Sequence, residues 1–295
     1  MHQSKHNKIV DWIIYPAVII AGISLHYCLL GFAWNIQTAT YVPIVLAATL
    51  ITVLESIHLH KREWKANSKE LLSDISFMML VQVLLPRFLA FFISITLVRF
   101  IESQQFEISV WWPQLWSNAA QAILMLLLAD FVRYWLHRAS HEWVPPLWQL
   151  HAVHHSPKKL YWINVGRFHP IEKSLQYIFD ALPFILLGVS EQVLALYFVF
   201  YSINGFFQHC NIKLKLGLLN YIVSGPELHR WHHSKIISES NKNYGNNFII
   251  WDLLFGSYFL PKNRQVSELG LLNDEYPQDF ISQMKTPFIK GLDKA

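Results

Sequence analysis

The sequence predicts an all-α fold, a polytopic bundle of membrane helices with a helical cap on its cytoplasmic side. Three observations lead there. Of 295 residues, 53% are hydrophobic and only 15% charged, with a mean hydropathy of +0.25, whereas a soluble domain carries about 25% charged residues. Apolar runs approaching the length needed to cross a bilayer recur along the first half of the chain. Beyond them the histidines gather: ten of the fifteen lie between positions 137 and 233.

Residues 9–33 (IVDWIIYPAVIIAGISLHYCLLGFA) form the first span. Lys5 and Lys8 precede it as in a signal peptide, but its length and the lack of a small-x-small cleavage site favour a retained helix. Residues 40–56 form the second span, 75–98 the third with an interruption at Pro86-Arg87, and 118–136 the fourth. Two shorter stretches, 174–189 and 191–208, meet at GVSE and read as a hairpin. The 58–69 loop carries Lys61, Arg62, Lys65 and Lys69, while residues 34–38 carry no basic group, which places the former loop and the N-terminus in the cytoplasm. Counting spans from there delivers the end of the fourth helix, and everything after 209, to the same face. The chain divides into N-terminal transmembrane helices and loops (1–117), a catalytic domain (118–260) and a polar tail of modest structure (261–295).

The net charge of +4 is the cytoplasmic excess of a membrane protein rather than a nucleic-acid surface, since no dense basic stripe occurs. Cys28 and Cys210 sit in no metal or redox spacing and read as two reduced thiols.

The histidines fall into three motifs: His137-x3-His141, His151-x2-His154-His155 and His229-x2-His232-His233, with His169 and His209 standing singly. On a helix, positions i, i+3 and i+4 share an arc of about 100°, so each motif can converge its rings on one point or bracket two. Neutral imidazoles without thiolates suit iron, zinc, copper or nickel, and disfavour calcium or magnesium. Eight such rings are twice what one tetrahedral zinc uses, so the cap is expected to carry a histidine-rich di-metal site, with one metal and surplus rings as the competing arrangement. His209 is a further candidate ligand. His169 is a less certain one, because Pro170 also makes RFHP a natural turn. His26, His58 and His60 are read as packed or hydrogen-bonded, and His2 and His6 as tail residues. Asp130 and Tyr134 extend the first motif as a polar stripe at i, i+4, i+7 and i+11. Asp130 is expected to orient a ligand imidazole by accepting its second N–H, or else to pair with Arg133 or Arg138. Spacing assigns no role to Glu142, Glu172, Glu227 or Asp252.

The order of these motifs resembles the fatty acid hydroxylase/sterol desaturase superfamily of membrane di-iron enzymes. D-x3-Y-x2-HR-x2-H at 130–141, HAVHH at 151–155, HRWHH at 229–233, NYG at 243–245 and WDLLFGSY at 251–258 carry the resemblance. HR-x2-HE and IIWDLLFG are similar to the alkylglycerol monooxygenase branch, and GRFHPIE to the sterol desaturases. The resemblance implies metal ligation by His137, His141, His151, His154, His155, His229, His232 and His233, and by His209 as the further ligand. It implies two iron ions, for which zinc can substitute in purified protein, and O2 as co-substrate. It also implies oxygen insertion into an unactivated C–H bond of a lipid (fatty acyl, sterol or ether lipid), with sterol-type desaturation as the alternative.

No flavin, nucleotide, haem or iron–sulfur motif is visible, so electrons are expected from a separate donor of cytochrome b5, ferredoxin or reductase type. A bacterial inner membrane is favoured over endoplasmic reticulum, and the sequence specifies no oligomeric state. A metal transporter or sensor would spread polar residues through several helices at mid-membrane, whereas here they collect past one helix end. A structural zinc protein would lack use for so many ligands.

Overall fold

The computed structural model describes residues 9–104 and 111–293; His2, His6, Lys5 and Lys8 lie outside the described residues. Among the described residues all regular structure is helical, joined by three isolated β-bridges. Four helices are long and apolar enough to cross a membrane: α1 (Val10–Gly31), α2 (Ile36–Ile57), α3 (Ser68–Ile101) and α4 (Asn118–Glu142). The cap and its supports follow as α5 (Pro145–His155), α6 (Pro170–Asp180), α7 (Leu182–Leu186), α8 (Glu191–His209), α9 (Pro226–His232), α10 (Ile237–Ser240), α11 (Ile250–Phe255) and α12 (Phe280–Gln283).

Local chemistry sets these ends. Asn35 caps α2 by accepting the Thr38 N–H at 2.8 Å, and Asn67 with Glu70 forms a capping box on α3. Ser117 and Ser190 cap α4 and α8, while α5, α6 and α9 start on prolines, whose missing N–H has no partner to lose there. The expected break at Pro86-Arg87 is absent. Instead α3 runs through, with π-helical stretches at Phe77–Leu84 and Ala90–Ser94 on either side of Pro86. Wider turns let the chain pass a residue that cannot donate its own ladder hydrogen bond. The two stretches expected as a hairpin are unequal, with α6 and α7 short and α8 a continuous helix of 19 residues, and Tyr177 and Asp180 of α6 and Tyr197 and Tyr201 of α8 line one cavity.

One apolar core joins α1, α2 and α8 through Ile14, Val18, Ile44, Ile51, Val199, Ile203 and Phe207; the N-terminal helices are therefore packed on the catalytic part, not appended to it. A second core joins α4 and α8 through Met125, Leu126, Ala129, Val193 and Leu196. Outward, Ile20, Val45, Leu46, Phe88, Phe91, Phe92, Ile123 and Leu128 stay exposed, an apolar belt suited to lipid tails.

His26, His58 and His60 behave as ordinary packing residues. His26 bonds the Ala39 carbonyl across the α1–α2 pair at 3.0 Å, and His58 bonds Asp11 at 2.8 Å. His60 packs on Trp64. The start of α1, the end of α2, the start of α3 and the ends of α4 and α8 meet on one face. Asn211, just past α8, locks the 58–61 segment there with bonds to Lys61 N and O at 2.9 Å each.

Residues 261–293 have little regular structure, yet they fold back over the cap. Gln278 and Gln283 bond Ser156 at 3.0 and 2.7 Å, and Arg167 donates to the Gln278 carbonyl at 3.1 Å.

Candidate metal centre

Nine histidines converge where α4, α5, α8 and α9 end. His137, His141, His151, His155 and His232 form one group, and His154, His209, His229 and His233 the other. Within each group the candidate donor nitrogens lie within 4.8 Å of one another. The i, i+3, i+4 spacing divides its rings as the sequence allows. In the second motif His151 and His155 face the first group and His154 the second; in the third motif His232 faces the first and His229 and His233 the second.

The outer nitrogen of most rings is held by a partner that can only accept, which fixes the tautomer. His137 Nδ1–H donates to the Tyr244 carbonyl at 2.8 Å, His154 to the Arg167 carbonyl at 3.2 Å and His232 to the Lys242 carbonyl at 2.9 Å. His151 donates to Glu172 at 2.7 Å and His141 to the Asn241 side-chain oxygen at 3.2 Å. His209 donates to Asn164 Oδ1 at 2.7 Å, and Asn164 is oriented by its own donation to the Lys159 carbonyl.

With Nδ1 protonated, each of these neutral rings points an Nε2 lone pair inward. His137 Nε2 stands 2.9 Å from His151 Nε2, and His209 Nε2 stands 3.0 Å from His229 Nε2. In the first pair both lone pairs face each other across a gap that no proton occupies. Two nitrogens about 2.1 Å from one metal and at right angles are about 3.0 Å apart. His155 with His232 at 3.0 Å and His229 with His233 at 3.1 Å repeat the spacing. His141 Nε2, the inward nitrogen of its ring, is buried without any protein partner. The residues present therefore fit two cations, one in each group.

Protonation would not relieve this crowding. Burial, first, and the neighbouring imidazoles, second, push His154, His155, His229 and His233 well below the usual histidine range, and burial brings His232 down to about 3. The rings stay neutral, the form that donates to a metal.

Two expectations need correction, those for Asp130 and His169. Asp130 touches no imidazole: its carboxylate accepts from Asn247 N, Asn247 Nδ2 and Phe248 N at 2.9, 2.8 and 2.6 Å. Nor does it pair with an arginine, because Arg133 pairs with Asp180 and Arg138 with Glu142. Tyr134 likewise bonds Ser257 and Arg138, not a ligand ring. Both act one step back. Asp130 holds the 246–248 backbone, and Asp252, bonded by Ser257, holds Tyr244 N and Gly245 N, so the Tyr244 carbonyl is fixed where His137 needs it. His169 is in neither group. Its Nδ1 accepts the Ile171 N–H as the N-cap of α6, and its Nε2 bonds the Met284 carbonyl at 3.3 Å, which leaves no nitrogen for a metal; Pro170 signalled this turn.

Sequence reasoning left Glu172 without a role and passed over Asn164 and Asn241. GRFHPIE held the signal for Glu172: once His169 caps the helix, Glu172 falls in its first turn, facing His151. The carbonyls of Arg167, Lys242 and Tyr244 leave no trace in a sequence, because any residue supplies one.

A cavity of about 540 Å³ opens beside both groups, lined at its inner end by His137, His151, His154 and His229. Tyr41, Val45, Val83, Pro86 and Phe198 line it toward the apolar belt.

Membrane-length helices, two converging histidine groups and a cavity lined largely by apolar side chains define a membrane protein with a candidate metal centre. Residues 122–257 match the fatty acid hydroxylase family, and an ornithine lipid hydroxylase of Rhizobium tropici is 31% identical over 97% of this chain and 86% of its own length. The chain belongs to the fatty acid hydroxylase family. The alkylglycerol monooxygenase of Homo sapiens is 31% identical over 50% of this chain and 31% of its own length. A Delta(7)-sterol 5(6)-desaturase of Gibberella zeae is 30% identical over 51% of this chain and 41% of its own. No solved structure matches the chain.

Proposed function

We propose that the two histidine groups hold two iron ions and that the protein uses O2 to hydroxylate a C–H bond of a membrane lipid. The balance is R–H + O2 + 2 electrons + 2 protons giving R–OH + water, with the electrons from a separate protein of cytochrome b5, ferredoxin or reductase type. The observation that carries this reading is the 2.9 Å approach of two inward lone pairs, His137 Nε2 and His151 Nε2, whose Nδ1 atoms are both committed to acceptors.

Bound iron would supply the oxidising power that side chains lack. The chain's own residues do the rest. His137, His141, His151, His155 and His232 would hold one ion, and His154, His209, His229 and His233 the other. Tyr244 O, Glu172, Arg167 O, Asn164 and Lys242 O keep the rings turned inward. The apolar mouth at Val45, Val83 and Phe198 admits the lipid and keeps water out.

The positive loop at Lys61 to Lys69, which shares the face of the histidines, supports a site on the cytoplasmic side, and a relative from a bacterium supports an inner-membrane location. A lipid with an ornithine-type head is the first substrate to test, because the relative matching over most of the chain is named for one. Expression in a host supplied with that lipid, followed by mass spectrometry of the lipid extract, is expected to show a product heavier by one oxygen. Loss of two hydrogens instead would identify a desaturase. An unchanged lipid pool under aerobic, iron-replete conditions with a competent electron donor would contradict the proposal.

A further inference from the structure

The cavity wall carries charges that the fold pairs only in part. Arg133 on α4 and Lys173 and Asp180 on α6 all line it and are each only 7% exposed. Arg133 Nη1 donates to Asp180 Oδ2 at 2.8 Å, yet Asp180 Oδ1 has no hydrogen-bond partner. Lys173 forms no ion pair among the described residues; its Nζ reaches only the Tyr201 hydroxyl, at 3.4 Å, and lies over the rings of Phe168 and Tyr201 at 5.8 Å each. Gln82 Oε1, also on the wall, is buried without a partner. Glu172, adjacent to Lys173, accepts from His151 Nδ1 and Gln176 Nε2 through Oε1, and its Oε2 is buried without a hydrogen-bond partner.

Burying a charge is costly unless it is paired. A cavity meant for an acyl chain alone would gain nothing from an ammonium without an ion pair and an unbonded carboxylate oxygen on its wall. This wall also sits one ring from the metal centre. His154 stacks on Phe168 at 4.2 Å and 10°, and Arg133 and Lys173 lie 6.0 and 5.8 Å from that same ring.

We infer that Lys173, Arg133 and Asp180 form a headgroup subsite for a lipid whose polar end is zwitterionic. Lys173 and Arg133 take its oxyanion, and Asp180 Oδ1 takes its ammonium. The inference rests on the cavity being the lipid site of the proposed hydroxylase, and it makes Lys173 a specificity-determining residue.

Equilibrium binding to the metal-loaded protein in detergent, kept anaerobic so that no turnover occurs, tests this apart from activity. The probes are Nα-palmitoyl-ornithine, palmitate, hexadecylamine and monopalmitoylglycerol. The ornithine amphiphile is expected to bind at least about tenfold tighter than the neutral glyceride, the scale of one charge-assisted hydrogen bond in a buried site. Lys173→Met should erase most of that margin with metal content unchanged, Lys173→Arg should restore part of it, and Asp180→Asn should reduce the contribution of the ammonium.

Equal affinity of the wild type for all four probes would overturn the subsite, and so would an undiminished margin in metal-replete Lys173→Met. The wild-type ranking decides the matter even where a variant fails to fold. An intact ranking with no oxygen inserted into any lipid would sink the hydroxylase reading and leave the subsite standing.

Discussion

His151 shows how the site works at the scale of a residue. Its Nδ1–H is held by Glu172 at 2.7 Å, both groups almost wholly buried, so Nε2 is left to face His137. A carboxylate behind a ligand imidazole fixes the ring and raises its basicity, and losing such a partner typically weakens metal binding about 10- to 100-fold. Glu172→Gln keeps an acceptor for the proton but removes the charge. Competition with a chelator should show one of the two bound ions weakened by about tenfold or more, the other unaffected; equal retention of both ions in variant and wild type would count against this role. The sequence displayed all nine histidines of the two groups, because a metal centre of the proposed kind would need imidazoles and little else in a membrane protein accounts for so many. It did not display their orienting partners, which are mostly backbone carbonyls and amide side chains brought in by the fold. His169 misled for a related reason: imidazole is as good an N-cap acceptor as it is a ligand, and only the position of Ile171 N decides.

The element that matters most is the 243–248 segment, which has almost no regular structure. It is held from two sides by buried carboxylates, Asp252 on Tyr244 N and Gly245 N, and Asp130 on Asn247 N and Phe248 N. Gly245 is required there, since an added Cβ would meet the Phe248 carbonyl oxygen at 2.4 Å and Asp252 Oδ2 at 2.9 Å. Asp130→Ala strands two buried backbone N–H groups and one amide N–H, each costing about 1–3 kcal/mol. The variant should lose about 3 kcal/mol, seen as a lower Tm, and should release metal more readily as Tyr244 O drifts from His137. Asp130→Asn, which keeps an acceptor, should lose less. A wild-type Tm in the alanine variant would contradict this role. The acidic residue in an apolar helix was legible as important; its partner was not, because the receiving loop lies 117 residues away. The same holds for α3. Pro86 was visible as a break, but whether a helix stops or widens into π turns depends on what packs around it.

At the scale of the whole molecule, four spans in the expected order deliver the ends of α4, α8 and the cap helices to one face, and each end contributes histidines to one or both groups. Hydropathy carried that topology, since apolar length is written directly in the chain. The packing of residues 261–293 over the cap was not legible: a polar stretch with few periodic apolar positions reads as a tail whether or not it is tied down by Gln278 and Gln283. The division of nine rings into five and four was also hidden, because two of the three motifs each serve both groups.

Elemental analysis of protein purified from iron-replete cells, with Mössbauer spectroscopy on the same iron-57 sample, bears most directly on the two-ion centre. Two irons per chain are expected in wild type, falling to one or none when His155 or His233 is replaced by alanine in chains that still insert in the membrane. Wild-type protein that reaches saturation with a single ion, or variants that keep the full complement, would contradict a centre built from two histidine groups.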